Sequence, residues 1–237
     1  MSVNKMKCFR RVSLALPVIF ICALITSAQT PAQPPAGGQA ASPPNIEGWE
    51  DDFNAAKLDE EKWERYSFEG GSGGKVEVSD GQLRQRGADG SRAGVRTKKT
   101  FESERFLVSA DVAKAGVRYP APGSSGPPPG NAIVTVLFGG SSENRLEWLI
   151  TSDGRLEAWQ MRDRKSERLN TSSLGTREKT PRLGIARRGD QIFFMLNGEV
   201  GLQKTVKALP NSFRVMLYGF GSSENNWDAV VVQTLKQ

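Results

Sequence analysis

Gln191-Ile-Phe-Phe-Met-Leu196 and Val200-Gly-Leu-Gln-Lys204 are two short segments separated by Asn197-Gly198. Ile192, Phe194 and Leu196 recur at every second position, the period of a strand with one buried face. Asn-Gly accepts the positive φ of a tight hairpin turn. The pattern repeats upstream. Lys75-Val-Glu-Val-Ser79 meets Gln82-Leu-Arg-Gln-Arg86 across Asp80-Gly81, and Arg145-Leu-Glu-Trp-Leu-Ile150 meets Arg155-Leu-Glu-Ala-Trp159 across Asp153-Gly154. Further strands are expected at 94–98, 106–113, 133–138, 183–187, 213–220 and 227–234. Short strands separated by turn residues, with almost no helical period, predict an all-β fold: a two-sheet antiparallel sandwich.

Around this core the chain is simpler. Leu58–Trp63 is the one expected helical turn, and 119–131, rich in Pro, Gly and Ser, is a long loop that no central strand tolerates. Residues 1–11 hold Lys5, Lys7, Arg10 and Arg11 and no acid; an apolar run over 12–25 and the small residues Thr26, Ser27 and Ala28 follow. That order describes a secretory signal peptide over 1–28. An uncleaved anchor is the alternative, although the run is shorter than the roughly 20 residues of a spanning helix. Cys22 follows Ile21, where a lipid-anchored leader needs a small residue. Residues 29–45 read as a Pro/Ala/Gly-rich linker, and 46–237 as one domain. The protein is expected to be exported to the periplasm, cell surface or extracellular space, without stable membrane insertion of the mature chain.

Composition excludes much chemistry. The chain has no histidine, and its two cysteines, Cys8 and Cys22, lie in the leader. Histidine bases, thiol nucleophiles and disulfides are therefore absent from the mature domain. The net charge is +6, from 32 basic and 26 acidic residues. Four of the basic residues belong to the leader, leaving 28 against 26, or +2. A near-neutral domain gives no reason to expect a nucleic-acid partner. The local basic group Arg162, Arg164, Lys165 and Arg168 reads as solvated residues around a turn.

Several segments, taken in order, resemble the concanavalin A-like lectin/glucanase superfamily of jelly rolls. They are Gly48-Trp-Glu-Asp-Asp-Phe53 with Leu58-Asp-Glu-Glu-Lys-Trp63, then Val76-Glu-Val-Ser-Asp-Gly-Gln-Leu83, then Arg96-Thr-Lys-Lys-Thr-Phe101. The stretch 182–198 and the closing Trp227-Asp-Ala-Val-Val-Val232 complete the likeness. The superfamily includes lectins, laminin-G-like modules, family 16 glycoside hydrolases and keto-sugar hydrolases, so the resemblance implies the jelly roll and not one activity. Family 16 enzymes carry a Glu-x-Asp-x-x-Glu strand holding nucleophile and acid. The nearest stretch here, Glu143-Asn-Arg-Leu-Glu147, lacks the central acid. The resemblance also implies a structural calcium ion as the one cofactor to expect. Asp228 matches a closing-strand aspartate that joins such a site in some relatives, with Glu47, Gly48 and Asp51 as partners here. An aspartate at a strand start is the alternative.

Within this frame, Glu147 and Glu157 are expected on one solvent-side face of neighbouring strands. They would accept sugar hydroxyls or, in a hydrolase, act as acid and base. The alternative is that they balance Arg145, Arg155 and Arg162. Trp159 shares its phase with Glu157, so its ring would stack on a sugar or pack locally. Trp148, in phase with Leu146 and Ile150, belongs to the core. Arg96 and Arg145 join Glu147, Glu157 and Trp159 as candidate carbohydrate-binding residues. Gly-Ser-Ser-Glu-Asn occurs at 140–144 and again at 221–225. If both copies shared a rim, Glu143, Asn144, Glu224 and Asn225 would contact one ligand; otherwise they are ordinary connections. The expected function is an exported, lectin-like protein whose partner is a glycan or polysaccharide. A glycoside hydrolase and a non-catalytic adhesion module are the alternatives.

Overall fold

The computed structural model describes residues 45–67, 74–87, 92–116, 131–140, 142–170, 174–220 and 223–236. The expected leader, nearly all of the linker and most of the 119–131 loop lie outside them. The strands, in chain order, are β1 (Ile46–Asp51), β2 (Trp63–Ser67), β3 (Lys75–Ser79), β4 (Gln82–Arg86), β5 (Arg92–Thr97) and β6 (Phe101–Glu102). Then come β7 (Arg105–Lys114), β8 (Asn131–Phe138), β9 (Arg145–Ile150), β10 (Arg155–Arg162), β11 (Lys165–Arg168) and β12 (Leu174–Gly175). The last five are β13 (Arg182–Arg188), β14 (Gln191–Leu196), β15 (Glu199–Thr205), β16 (Ser212–Phe220) and β17 (Glu224–Leu235).

They form two antiparallel sheets. One has eight strands in the order β15-β14-β13-β7-β17-β4-β3, with β1 also on β17. The other has nine, β11-β10-β9-β8-β16-β5-β2, with β12 on β10 and β6 on β16. The predicted sandwich is thus the observed fold.

Local chemistry explains the turns. Asp80 and Gly81 have φ of 55° and 72°, and Asn197 and Gly198 have 53° and 89°, so both are tight hairpins with two positive-φ residues. At Asp153-Gly154 only the glycine is positive. There Gly154 N donates to Thr151 O at 2.8 Å, closing a longer connection. A further tight turn joins β10 to β11 through Asp163 and Arg164, at 48° and 67°. The basic group around it reads as a turn in the sequence, but without a glycine the returning strand β11 is not marked. The expected helical turn at Leu58–Trp63 is a single hydrogen-bonded turn, with Trp63 N donating to Asp59 O at 2.9 Å. Strands β1, β2 and β11, whose mixed residues lack clean alternation, and the two-residue strands β6 and β12 are not among the expected strands.

The core lies between the sheets. Trp63, Trp148 and Trp227 are fully buried there with Phe53, Phe138, Phe194 and Phe213. Three polar contacts tie sheet to sheet through this apolar layer. Trp148 Nε1 donates to Met195 O at 2.9 Å, Gln85 Nε2 to Leu217 O at 2.6 Å, and Trp63 Nε1 to Asp51 Oδ2 at 2.8 Å. Each satisfies a buried donor that would otherwise cost about 1–3 kcal/mol.

Candidate functional site

The outward face of the nine-stranded sheet, away from this core, gathers the polar candidates. Cross-strand register builds one continuous row. Glu64 on β2 faces Arg96 on β5, which faces Met216 on β16, which faces Thr135 on β8. Thr135 faces Glu147 on β9, which faces Trp159 on β10, which faces Arg168 on β11. Arg96, Glu147 and Trp159 therefore share a face and a row. Arg145 and Glu157 stand in the flanking rows, opposite Met161 and Leu149.

The floor beneath these groups is apolar. Ile133, Leu137, Leu149, Met216 and Tyr218 form a buried cluster distinct from the main core, with Tyr66 and Trp159 packed against it. Gly94 is required opposite Tyr218, because a Cβ there would lie 2.4 Å from Tyr218 Cβ and 2.2 Å from Leu217 O.

Arginines organise the carboxylates. Arg145 Nε donates to Glu147, and Tyr218 donates its hydroxyl to the same oxygen at 2.6 Å. Burial, then the Glu147 charge, pushes the Tyr218 phenol well above its ordinary range, so it remains a donor. Glu157 bonds Arg155 on its own strand and lies 3.6 Å from Arg168 Nη1. Trp159 Nε1 donates to the other Glu157 oxygen at 3.0 Å. Arg162, expected to balance these glutamates, donates instead to Lys207 O, because its place in β10 points it to the opposite face.

A third carboxylate, Glu64, completes the set. It accepts from Arg96 Nη2 at 2.6 Å and Arg214 Nη1 at 2.9 Å. Burial would raise its pKa, but the bonds and charges of the two arginines outweigh burial and hold it below the ordinary 4.5. Arg96 also lies 4.1 Å from the Tyr66 ring centroid. Sequence reasoning missed Glu64, Tyr66, Arg214 and Tyr218. The run Phe213–Phe220 is nearly all apolar, which hides which of its residues face outward.

The two Gly-Ser-Ser-Glu-Asn copies do not meet. Phe138 lies opposite Phe213, and Asn131 opposite Phe220. The loop that ends β8 and the loop that ends β16 therefore emerge at opposite ends of antiparallel neighbours. Glu143 pairs with Arg164, and Phe138 N donates to Asn144 O. At the far end Glu224 pairs with Lys114 and Arg86, while buried Asn225 accepts from Gly116 N at 2.7 Å. The shared-rim expectation for these four residues is corrected: antiparallel order separates them.

The residues expected to hold calcium do not converge either. Glu47 pairs with Lys99 and Lys236. Asp51, four residues along β1 and about 13 Å away by strand rise, accepts from Trp63 Nε1 and Phe53 N. Gly48 pairs in register with Gln233. Asp228 is exposed at a register shift, between Trp227 opposite Val112 and Ala229 opposite Asp111. Among the described residues no three carboxylates form a metal-binding group. The donor set does not fit the implied ion.

No family profile and no curated protein matches this sequence. Solved structures do match. A non-specific endo-β-1,3(4)-glucanase of glycoside hydrolase family 16 superposes with a TM-score of 0.62 at 11% identity, covering 83% of this chain and 94% of that one. An endo-β-1,3-glucanase from Pyrococcus furiosus gives 0.58 at 11% identity over 80% and 94%. The β-glucanase of Bacillus licheniformis gives 0.57 at 9% identity over 80% and 98%. At such identities the likeness speaks to architecture alone. With its paired antiparallel sheets, this chain has the concanavalin A-like jelly-roll fold.

Proposed function

We propose that this protein is an exported, lectin-like carbohydrate-binding sandwich that takes its glycan on the outward face of the nine-stranded sheet. The observation that carries the reading is the single row placing Arg96, Glu147 and Trp159 in register on that face. A half-buried indole beside charged hydrogen-bonding groups suits a sugar, which offers an apolar C–H face and a polar rim. The fold supports the reading: another structural neighbour, LamA from Z. galactanivorans, was solved with laminaritriose and laminaritetraose.

A glycoside hydrolase is the second reading, because Glu147 and Glu157 stand on adjacent strands of the same face, diagonal neighbours about 7–8 Å apart at Cα. Each carboxylate, however, is bonded by an arginine and by a second donor, Tyr218 or Trp159. That arrangement holds the oxygens in place to receive hydroxyl groups. The Glu-x-Asp-x-x-Glu strand of family 16 enzymes is also not matched, since Glu143-Asn-Arg-Leu-Glu147 lacks the central acid. Binding without cleavage is therefore the favoured reading.

A glycan array with parallel chromogenic glycosides tests it. Binding that falls at least tenfold in Trp159→Ala, with no glycoside turnover, is the expected result. Glycan binding unaffected by Trp159→Ala would remove this face from the function. Turnover lost in both Glu147→Gln and Glu157→Gln would establish the hydrolase instead.

A further inference from the structure

On the outward face two glutamates are each shared by two arginines. Glu64 lies between Arg96 and Arg214, and Glu157 between Arg155 and Arg168. A guanidinium carries five N–H donors, and a carboxylate about four acceptor sites. Each cluster therefore keeps a net positive charge and donors to spare. Arg214 Nε is buried and has no hydrogen-bond partner among the described residues. Thr135 Oγ1, midway along the row, is likewise buried and unbonded.

The clusters flank the apolar floor. Arg96 on β5 and Arg155 on β10 are four inter-strand steps apart, about 19 Å along the sheet. All four arginines are partly exposed; their side chains are 16%, 19%, 31% and 33% accessible for Arg96, Arg214, Arg155 and Arg168. They are held in fixed orientations by their glutamates, so little side-chain entropy is lost when an anion arrives. The glutamates thus position the guanidinium planes without neutralising them.

We infer that the glycan taken by this face is anionic, a polysaccharide bearing uronate carboxylates or sulfates, and that the Arg96–Arg214 and Arg155–Arg168 pairs bond its acid groups. Guanidinium forks match both oxyanions in shape and charge. Trp159, beside the second cluster, supplies the ring contact for a neighbouring sugar. The inference rests on the carbohydrate-binding reading above and narrows it to a ligand class.

Calorimetry of the full-length protein against five polymers tests the inference. Polygalacturonate supplies carboxylates and dextran sulfate supplies sulfates. Carboxyl-reduced polygalacturonate and laminarin are neutral, and duplex DNA is an anion without the glycan. At least one acidic polysaccharide should bind about tenfold more tightly than the neutral ones, the size of one charge-assisted hydrogen bond, and binding should weaken as salt rises. R168Q and R214Q should each reduce that affinity severalfold. R168Q lies on an edge strand and keeps the test alive if R214Q fails to fold. Equal binding to the neutral polymers would overturn the charge argument while leaving the carbohydrate reading intact. Binding to no glycan would overturn both, and tighter binding to DNA than to any glycan would overturn the ligand class.

Discussion

Strands β9 and β10 show two unlike faces. Inward, Leu146, Trp148, Ile150, Leu156 and Ala158 are all at most 3% exposed and meet the opposite sheet through shape and apolar contact. Outward, Arg145, Glu147, Glu157 and Trp159 are tied to named partners by ion pairs and hydrogen bonds. Burial is non-directional, so many apolar residues would serve within. The outer network is directional, and each partner is defined by register. One face stabilises by packing, and the other holds the oriented polar groups on which the proposed glycan site rests.

The sharpest way to break this contrast is to truncate a tryptophan on each face. Trp148→Ala should cost about 3–5 kcal/mol, because it empties core volume beside Phe194 and removes the bond to Met195 O. Trp159→Ala, whose ring is only partly buried, should cost less than half as much. Urea titration of both variants gives the comparison. Equal losses would mean that the outer face is a second core and not a binding surface.

A smaller effect sharpens the outer network. Tyr218→Phe removes the hydroxyl that donates to Glu147, a bond to a charged group worth about 1.5–3 kcal/mol. Its pH dependence is distinctive. The folded phenol keeps its proton well above the ordinary 10.0, whereas the unfolded chain releases it there. This contribution is whole below pH 10 and is lost as pH climbs above that value toward the folded pKa. The wild-type protein should lose melting temperature across this alkaline range, and Tyr218→Phe should lose less. Parallel alkaline melting curves for the two proteins would count against the buried Tyr218–Glu147 bond.

The smallest effect lies off both faces. Although Asp228 is exposed as a residue, partial desolvation of its carboxyl, followed by the like charges of Asp111 and Asp52, raises its pKa above 3.8. Its folded state holds the proton more tightly, so the contribution favours folding below pH 3.8 and is lost as pH rises through the folded value. Asp228→Asn should therefore melt slightly higher than wild type at neutral pH, with the advantage gone below about pH 3.8. A lower neutral melting point, or a calcium-dependent one, would show that the carboxylate has a partner after all.

Legibility followed the same division. Asp80-Gly81 and Asn197-Gly198 marked their hairpins because positive φ leaves a residue signature. Asp163-Arg164 adopts the same geometry without that signature, so β11 went unread, and with it the place of Arg168 beside Trp159. Glu147, Glu157 and Trp159 could be placed on one face from their phase alone. Their donors could not: Tyr218 lies 71 residues from Glu147 in sequence. Likewise Arg214 lies 150 residues from Glu64. The repeated Gly-Ser-Ser-Glu-Asn left a shared rim and two ordinary connections both open, because composition says nothing about which end of a sheet a loop occupies.

Alternation and turn residues by themselves determined that this chain is a stack of antiparallel strands with one apolar face each, since those signals are local and repeat along the backbone. Only the folded sheets decided which arginine holds which glutamate, that the twin loops part company, and that the acids of the closing strand do not assemble with those of β1. Such pairings depend on register between segments remote in sequence, and register is set when two sheets close on a common core.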